Sequence, residues 1–147
     1  MRSLRFAAVL LCLAPGRAPA DISPEGRWTV LSDTDQRPVA IMRIYEENGE
    51  YRGKIDELLS PSDGQAGPVC DHCRGSLKGE PIKGLVLMHG LKRNGNRYTG
   101  GRILDPESGK YYRLQMKVAP DGNTLVVRGY LGMSLLGRTQ TWRRVRQ

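Results

Sequence analysis

The sequence predicts an all-β fold, an eight-stranded up-and-down antiparallel barrel, on three observations. Strand-like runs follow one another along the chain, tight-turn residues separate nearly all of them, and no stretch carries a convincing helical period. Consecutive hairpins make a meander, and a meander of eight strands closes naturally because closure removes exposed edges. The pattern is clearest in the last third. There Tyr112, Leu114, Met116 and Val118 alternate with Tyr111, Arg113, Gln115 and Lys117, the period of two that gives a strand one dry and one wet face. An open sandwich is the alternative.

The first 20 residues are not expected to belong to the fold. A basic start, Met1 to Arg5, precedes a short apolar run, Phe6 to Ala14, and an A-x-A site, Ala18-Pro19-Ala20. That order is a cleavable secretory signal, with cleavage after Ala20 and export, in a bacterium to the periplasm. The run is too short to span a bilayer. Cys12 is no lipid acceptor, since it lies inside the apolar run behind Leu11. Residues 21–147 are then one domain, large enough for an ordinary core. The leader carries three arginines and no acid, so 20 basic and 15 acidic residues remain, a net charge of +5. The charges are dispersed and aromatic residues are few, which argues against a nucleic-acid partner. Arg138, Arg143, Arg144 and Arg146 read as the wet face of a closing strand.

Within the domain the first strand runs from about Gly26 to Leu31, with Trp28 and Val30 on one side. Pro38 opens the second, which turns at Asn48-Gly49, a strong hairpin signal, into the third. From Ser60 to Pro81 the pattern stops in a polar loop rich in glycine and proline, with two cysteines. Loops of that length often carry function. Strands resume over 84–91, turn at Asn94-Gly95-Asn96, and continue into the last third, whose turns are Glu107-Ser108-Gly109 and Pro120 to Asn123. Glycines inside strands (Gly53, Gly100, Gly101, Gly129) suit the bends of a barrel wall and are expected to leave interior volume.

Gly26-x-Trp28 on the first strand, with a tryptophan and arginines on the last, resembles the lipocalin and calycin superfamily. The resemblance implies that Trp28 plugs one end of the barrel under Arg138, Arg143 or Arg144, a cation over an indole being worth roughly 0.5–2 kcal/mol. More specifically, the chain resembles a family of small exported bacterial proteins, domain of unknown function 2147. The matching marks are Gly26-Arg27-Trp28, Tyr51 to Lys54, Cys70-Asp71-x-Cys73, Gly84-Leu85, Gly90-Leu91-Lys92, Gly101-x-Ile103-Leu104-Asp105-Pro106, Gly109-Lys110-x-Tyr112, and Arg128-Gly129-Tyr130 through Trp142-x-Arg144. Tyr98 departs from it, standing where the family has tryptophan. The resemblance implies a lipocalin-like barrel and names no activity.

The candidate chemistry is sparse. Cys70 and Cys73 are read as a disulfide, which fits an exported loop; a metal site and a redox dithiol are the alternatives. His89 shares a strand face with Leu85, Leu87 and Leu91 in strict alternation, and is more simply a core histidine than a ligand. If the barrel holds a molecule, His89, Leu87, Tyr112 and Met116 are the candidate lining. Trp28, Gly101, Asp105, Gly129, Trp142 and Arg144 are expected to be structural, with Asp105-Pro106 opening a turn. Asp56 and Glu57 are neighbours on a strand, expected on opposite faces, and no acid/base pair. No catalytic motif appears, so the expectation is a non-enzyme without metal or cofactor, monomeric and not integral to a membrane. It would bind a small apolar or amphipathic molecule inside the barrel. The alternative is a protein partner, bound through the 60–81 loop.

Overall fold

The computed structural model describes residues 22–59, 67–132 and 137–146; the leader and the first part of the long loop lie outside them. Eight strands follow in order: β1 (Gly26–Leu31), β2 (Pro38–Glu47), β3 (Glu50–Leu58), β4 (Val86–Asn94), β5 (Arg97–Asp105), β6 (Lys110–Val118), β7 (Thr124–Tyr130) and β8 (Gly137–Arg144). Each pairs antiparallel with the next, and β8 pairs with β1, so the sheet is a closed barrel. The one helical element among the described residues is a single 3₁₀ turn at Gly75–Leu77.

Local chemistry explains the hairpins. Asn48 and Gly49 both take positive φ, 54° and 78°, the combination that matches a two-residue turn to the twist of its strands. Asp105 opens the β5–β6 turn: its carboxylate accepts from the Glu107 amide at 3.0 Å and the Ser108 hydroxyl at 2.6 Å. Asp121 does the same at the β6–β7 turn, accepting from the amides of Asn123 and Thr124 at 2.8 and 3.0 Å.

The inward residues form one apolar core. Trp28, Met88, Leu91 and Leu125 are fully buried, and Met42, Ile44, Leu114, Met116 and Trp142 nearly so. Cross-strand partners carry the layers: Met42 lies beside Trp28 and Ile55, Met116 beside Tyr98 and Val127, Trp142 beside Leu125. The expectation that strand glycines leave open volume is corrected at two positions. A Cβ at Gly53 would lie 2.6 Å from Met88 Sδ, and one at Gly101 would meet Leu91 and stand 2.8 Å from the His89 carbonyl. Long side chains from β4 already fill what those glycines vacate.

Cys70 and Cys73 are joined by a disulfide, with Cα atoms 5.3 Å apart. The segment holding them is closed on itself and rests against the β5–β6 turn. Cys70 N–H donates to the Glu80 carbonyl at 2.8 Å, Ile82 N–H to that of Pro68 at 3.0 Å, and His72 O packs against Gly109 in the β5–β6 turn.

The two kinds of strand glycine separate by stability. Gly101→Ala overpacks the interior and is expected to cost about 1–3 kcal/mol, whereas Gly129→Ala, whose Cβ would meet nothing closer than 3.8 Å, stays within about 0.5 kcal/mol of the parent. Urea denaturation of both variants checks this.

Candidate functional site

The two ends of the barrel are built differently. At the end where β1 begins, the Trp28 indole donates through Nε1 to the Pro24 carbonyl at 2.7 Å, and the Arg144 guanidinium lies 4.2 Å above its ring. Arg144 also donates to the carbonyls of Glu25, Gly122 and Ser23 at 2.6, 2.7 and 2.9 Å. Of the three arginines that could cover Trp28, the structure selects Arg144. Arg143 turns outward to the Thr124 hydroxyl, and Arg138 stands at the other end, paired with Asp33.

That other end is open-walled. Val30, Leu58, Ile103, Tyr112, Gly129 and Gln140 are all only partly buried. The ladder places them on the inward face: Val30 and Leu58 flank buried Ala40, Ile103 pairs with Tyr112, and Gly129 pairs with Leu114. Below them the floor is solid. One wall is polar. Trp142 Nε1 donates to Gln140 Oε1 at 2.7 Å, Gln140 Nε2 to Asp33 Oδ1 at 2.7 Å, and Arg138 completes the chain from the other side of Asp33. Sequence reasoning missed Gln140 and Asp33, because nothing local links a β1–β2 loop residue to β8.

The four candidate lining residues do not come together. Tyr112 reaches the open end. Met116 lies deep in the floor, 2% exposed, and Leu87 is buried at a bulge where Gly53 and Lys54 oppose Met88 and Val86. His89 is corrected outright: it lies on the outer face, paired with exposed Arg102. The cause is a bulge. Gly90 has φ 71°, and Tyr51 pairs with Leu91 while Gly53 pairs with Met88, so one extra β4 residue resets the alternation. Met88 and Leu91 both point in, and His89 points out. Burial, with Arg52 and Arg102 nearby, holds its imidazole below the ordinary 6.5, against a hydrogen bond to the Val86 carbonyl that favours protonation.

Asp56 and Glu57 are corrected for the same reason. A register shift in β2–β3 leaves Asp56 as the extra residue, and both carboxylates reach Arg27, Asp56 at 2.8 Å, with Arg43 3.3 Å from Asp56. They form an ion-pair cluster on the outer wall. Hydrogen bonding and charge from Arg43 and Arg27 hold the Asp56 carboxyl below the usual carboxylate range despite some desolvation.

A closed antiparallel barrel of eight strands, plugged at one end by a first-strand tryptophan under a last-strand arginine, is a lipocalin-like fold. The family model described as "Uncharacterized protein conserved in bacteria (DUF2147)" matches residues 26–144, and the chain belongs to that family. Among solved structures the barrel is similar to protein HP1028 from the human pathogen Helicobacter pylori, which is described as belonging to the lipocalin family. The TM-score is 0.71 at 20% identity, over 83% of this chain and 82% of that one. No curated protein matches. No helix among the described residues is long and apolar enough to cross a membrane.

Replacing Arg144 by Leu keeps much of the packing over Trp28 but orphans three carbonyls; the loss expected is about 2–4 kcal/mol. Arg144→Lys restores only part of it, because an ammonium's donors sit on one nitrogen and cannot span carbonyls that Arg144 reaches from three. Chemical denaturation followed by tryptophan fluorescence measures both. For His89 the sign follows from its lowered pKa. As pH falls through 6.5 the unfolded chain takes up a proton that the folded chain refuses, so stability drops with acidification until the folded pKa is passed. His89→Gln should flatten the stability–pH curve below neutrality; an unchanged slope would show that His89 is not its source.

Proposed function

We propose that this protein is an exported, monomeric carrier, periplasmic in its bacterial host, which holds the apolar part of a small amphipathic molecule in the open half of its barrel. It acts by binding and not by catalysis. The observation that carries the reading is the gradient of burial along the barrel axis: a solid floor from Trp28 to Leu114, and above it inward residues that remain partly exposed. Such a cup suits a ligand with an apolar end against Val30, Leu58, Ile103 and Tyr112, and a polar end beside Gln140 and Arg138. An eight-stranded barrel has room for one small ligand above a packed floor. The leader sequence and the disulfide support export.

A second reading, binding of a protein through the disulfide segment, is favoured by one cleft. Leu77 and Arg74 of that segment face Leu104, Tyr111 and Leu131 across a space of about 320 Å³, and Tyr111 and Leu131 are exposed.

Gly129 separates the readings. Its missing side chain faces the cup, and a Cβ there meets Tyr112 and Ile103 at ordinary distances, 3.8 and 4.0 Å, so Gly129→Leu fills the cup without a clash at Cβ. Titration with N-phenyl-1-naphthylamine should give saturable fluorescence enhancement with the parent and at least a tenfold weaker response with Gly129→Leu, while Leu77→Asp leaves it unchanged. Equal binding by parent and Gly129→Leu would sink the carrier reading.

A further inference from the structure

The outer faces of the barrel distribute charge in two opposite ways. Across β1–β3 the cations are neutralised: Arg27 and Arg43 share Asp56, and Arg27 also holds Glu57. Across β4–β6 two arginines stand directly opposite each other, with the uncharged His89 imidazole beside them. His89 is the ladder partner of Arg102, and Arg102 is the ladder partner of Arg113. Arg52 on β3 flanks His89, standing opposite the Gly90 bulge between the pairs Tyr51–Leu91 and Gly53–Met88. Neighbouring strands lie about 4.8 Å apart, so these groups crowd one short row.

Like charges directly opposite in a sheet are destabilising. Among the described residues no carboxylate lies within ion-pair distance of Arg102 or Arg113; Arg102 stacks 5.3 Å over the Tyr111 ring instead. Arg52 reaches Glu47 at 3.1 Å with one end of its guanidinium, while its Nε is buried without a partner. A local rule broken without compensation marks a functional site more often than an error of folding.

The row also has a shape. Gly90 and Gly100 both take positive φ, 71° and 79°, and lie against each other, the Gly90 carbonyl 4.0 Å from where a Gly100 Cβ would be. With no side chains there, the wall dips into a groove of about 470 Å³ lined by Glu50, His89, Lys92, Thr99 and Arg102, in which Glu50 lies 3.5 Å from Lys92. Beside the one carboxylate, which Lys92 pairs, a guanidinium fork, an ammonium and a hydroxyl surround the hollow, with an imidazole that gains a second donor on protonation; these are donors of the kind that recognise a tetrahedral oxyanion.

We propose that this outer groove is a second binding site, distinct from the barrel interior, which takes a phosphate group, free or borne on a phosphomonoester or lipid head. The bound anion supplies the counter-charge that Arg102, set against Arg113, lacks, and favours the protonated form of His89. It does not depend on the carrier reading, because the groove and the cup lie on opposite sides of the sheet.

The chain has only two histidines, and exposed His72 in the disulfide segment serves as an internal reference for His89. Imidazole resonances followed by NMR in chloride and in inorganic phosphate should show saturable shifts at His89 and not at His72, with the His89 pKa raised by about one unit, a tenfold gain in proton affinity. Arg102→Gln should remove the effect, and Lys117→Gln, an equal loss of charge elsewhere on the outer wall, should leave it. Vesicles of phosphatidylcholine with and without phosphatidic acid then identify the source. Arg102-dependent cosedimentation with the acidic vesicles assigns a lipid head, and phosphate binding without it assigns a soluble ligand. Equal responses at His89 and His72, or equal losses in the Arg102 and Lys117 variants, would overturn the site in favour of general charge screening.

Discussion

Closing the sheet is the constraint on which the rest of this barrel depends, and the seam that closes it is short. Strands β1 and β8 share two residue pairs, Trp28 with Arg144 and Thr29 with Arg143, where the other neighbours share three to eight. Side chains must therefore do what backbone pairing does elsewhere. Arg144 does so by stacking on Trp28 while it binds the segment before β1 and the turn after β6, linking three parts of the chain at the seam. The tryptophan fills the floor and the arginine holds its lid, so one pair of residues both closes the wall and seals the end.

Bulges then decide which side chains see which solvent. The Gly90 and Gly100 irregularities bring Met88, Leu91, Tyr98 and Gly101 inward together, which packs the floor, and send His89 and Arg102 outward as neighbours. Interior density and the cationic row outside are consequences of the same displaced residues. Packing leaves little freedom here, since Leu91 lies in the space a Gly101 side chain would take.

Strands whose alternation is unbroken were legible in the sequence. The β6 range, the β1 start, the turn opened by Asp105 and the number of strands all follow from local pattern and turn chemistry, and the family resemblance agreed with them. The placement of His89 was not, because parity was carried through Gly90, although a glycine in mid-strand is itself the sign of a bulge. Asp56 and Glu57 failed likewise at a register shift that leaves no glycine to mark it. The choice of Arg144 over Arg143 rests on how β8 meets β1, and the filling of the Gly53 and Gly101 gaps rests on Met88 and Leu91, contacts too distant in sequence for any local pattern to carry. The Asp33–Gln140 link is of the same kind.

Above its two residue pairs the contacts that bridge the seam among the described residues run through side chains, Arg138 and Gln140 to Asp33, and Arg138 is 73% exposed. An exposed ion pair contributes roughly 0–1 kcal/mol, far less than a run of ladder bonds. The wall is thus elastic along one line. Its rim is held less firmly between β1 and β8 than at the other seams, while the floor below keeps the Trp28–Arg144 and Thr29–Arg143 pairs.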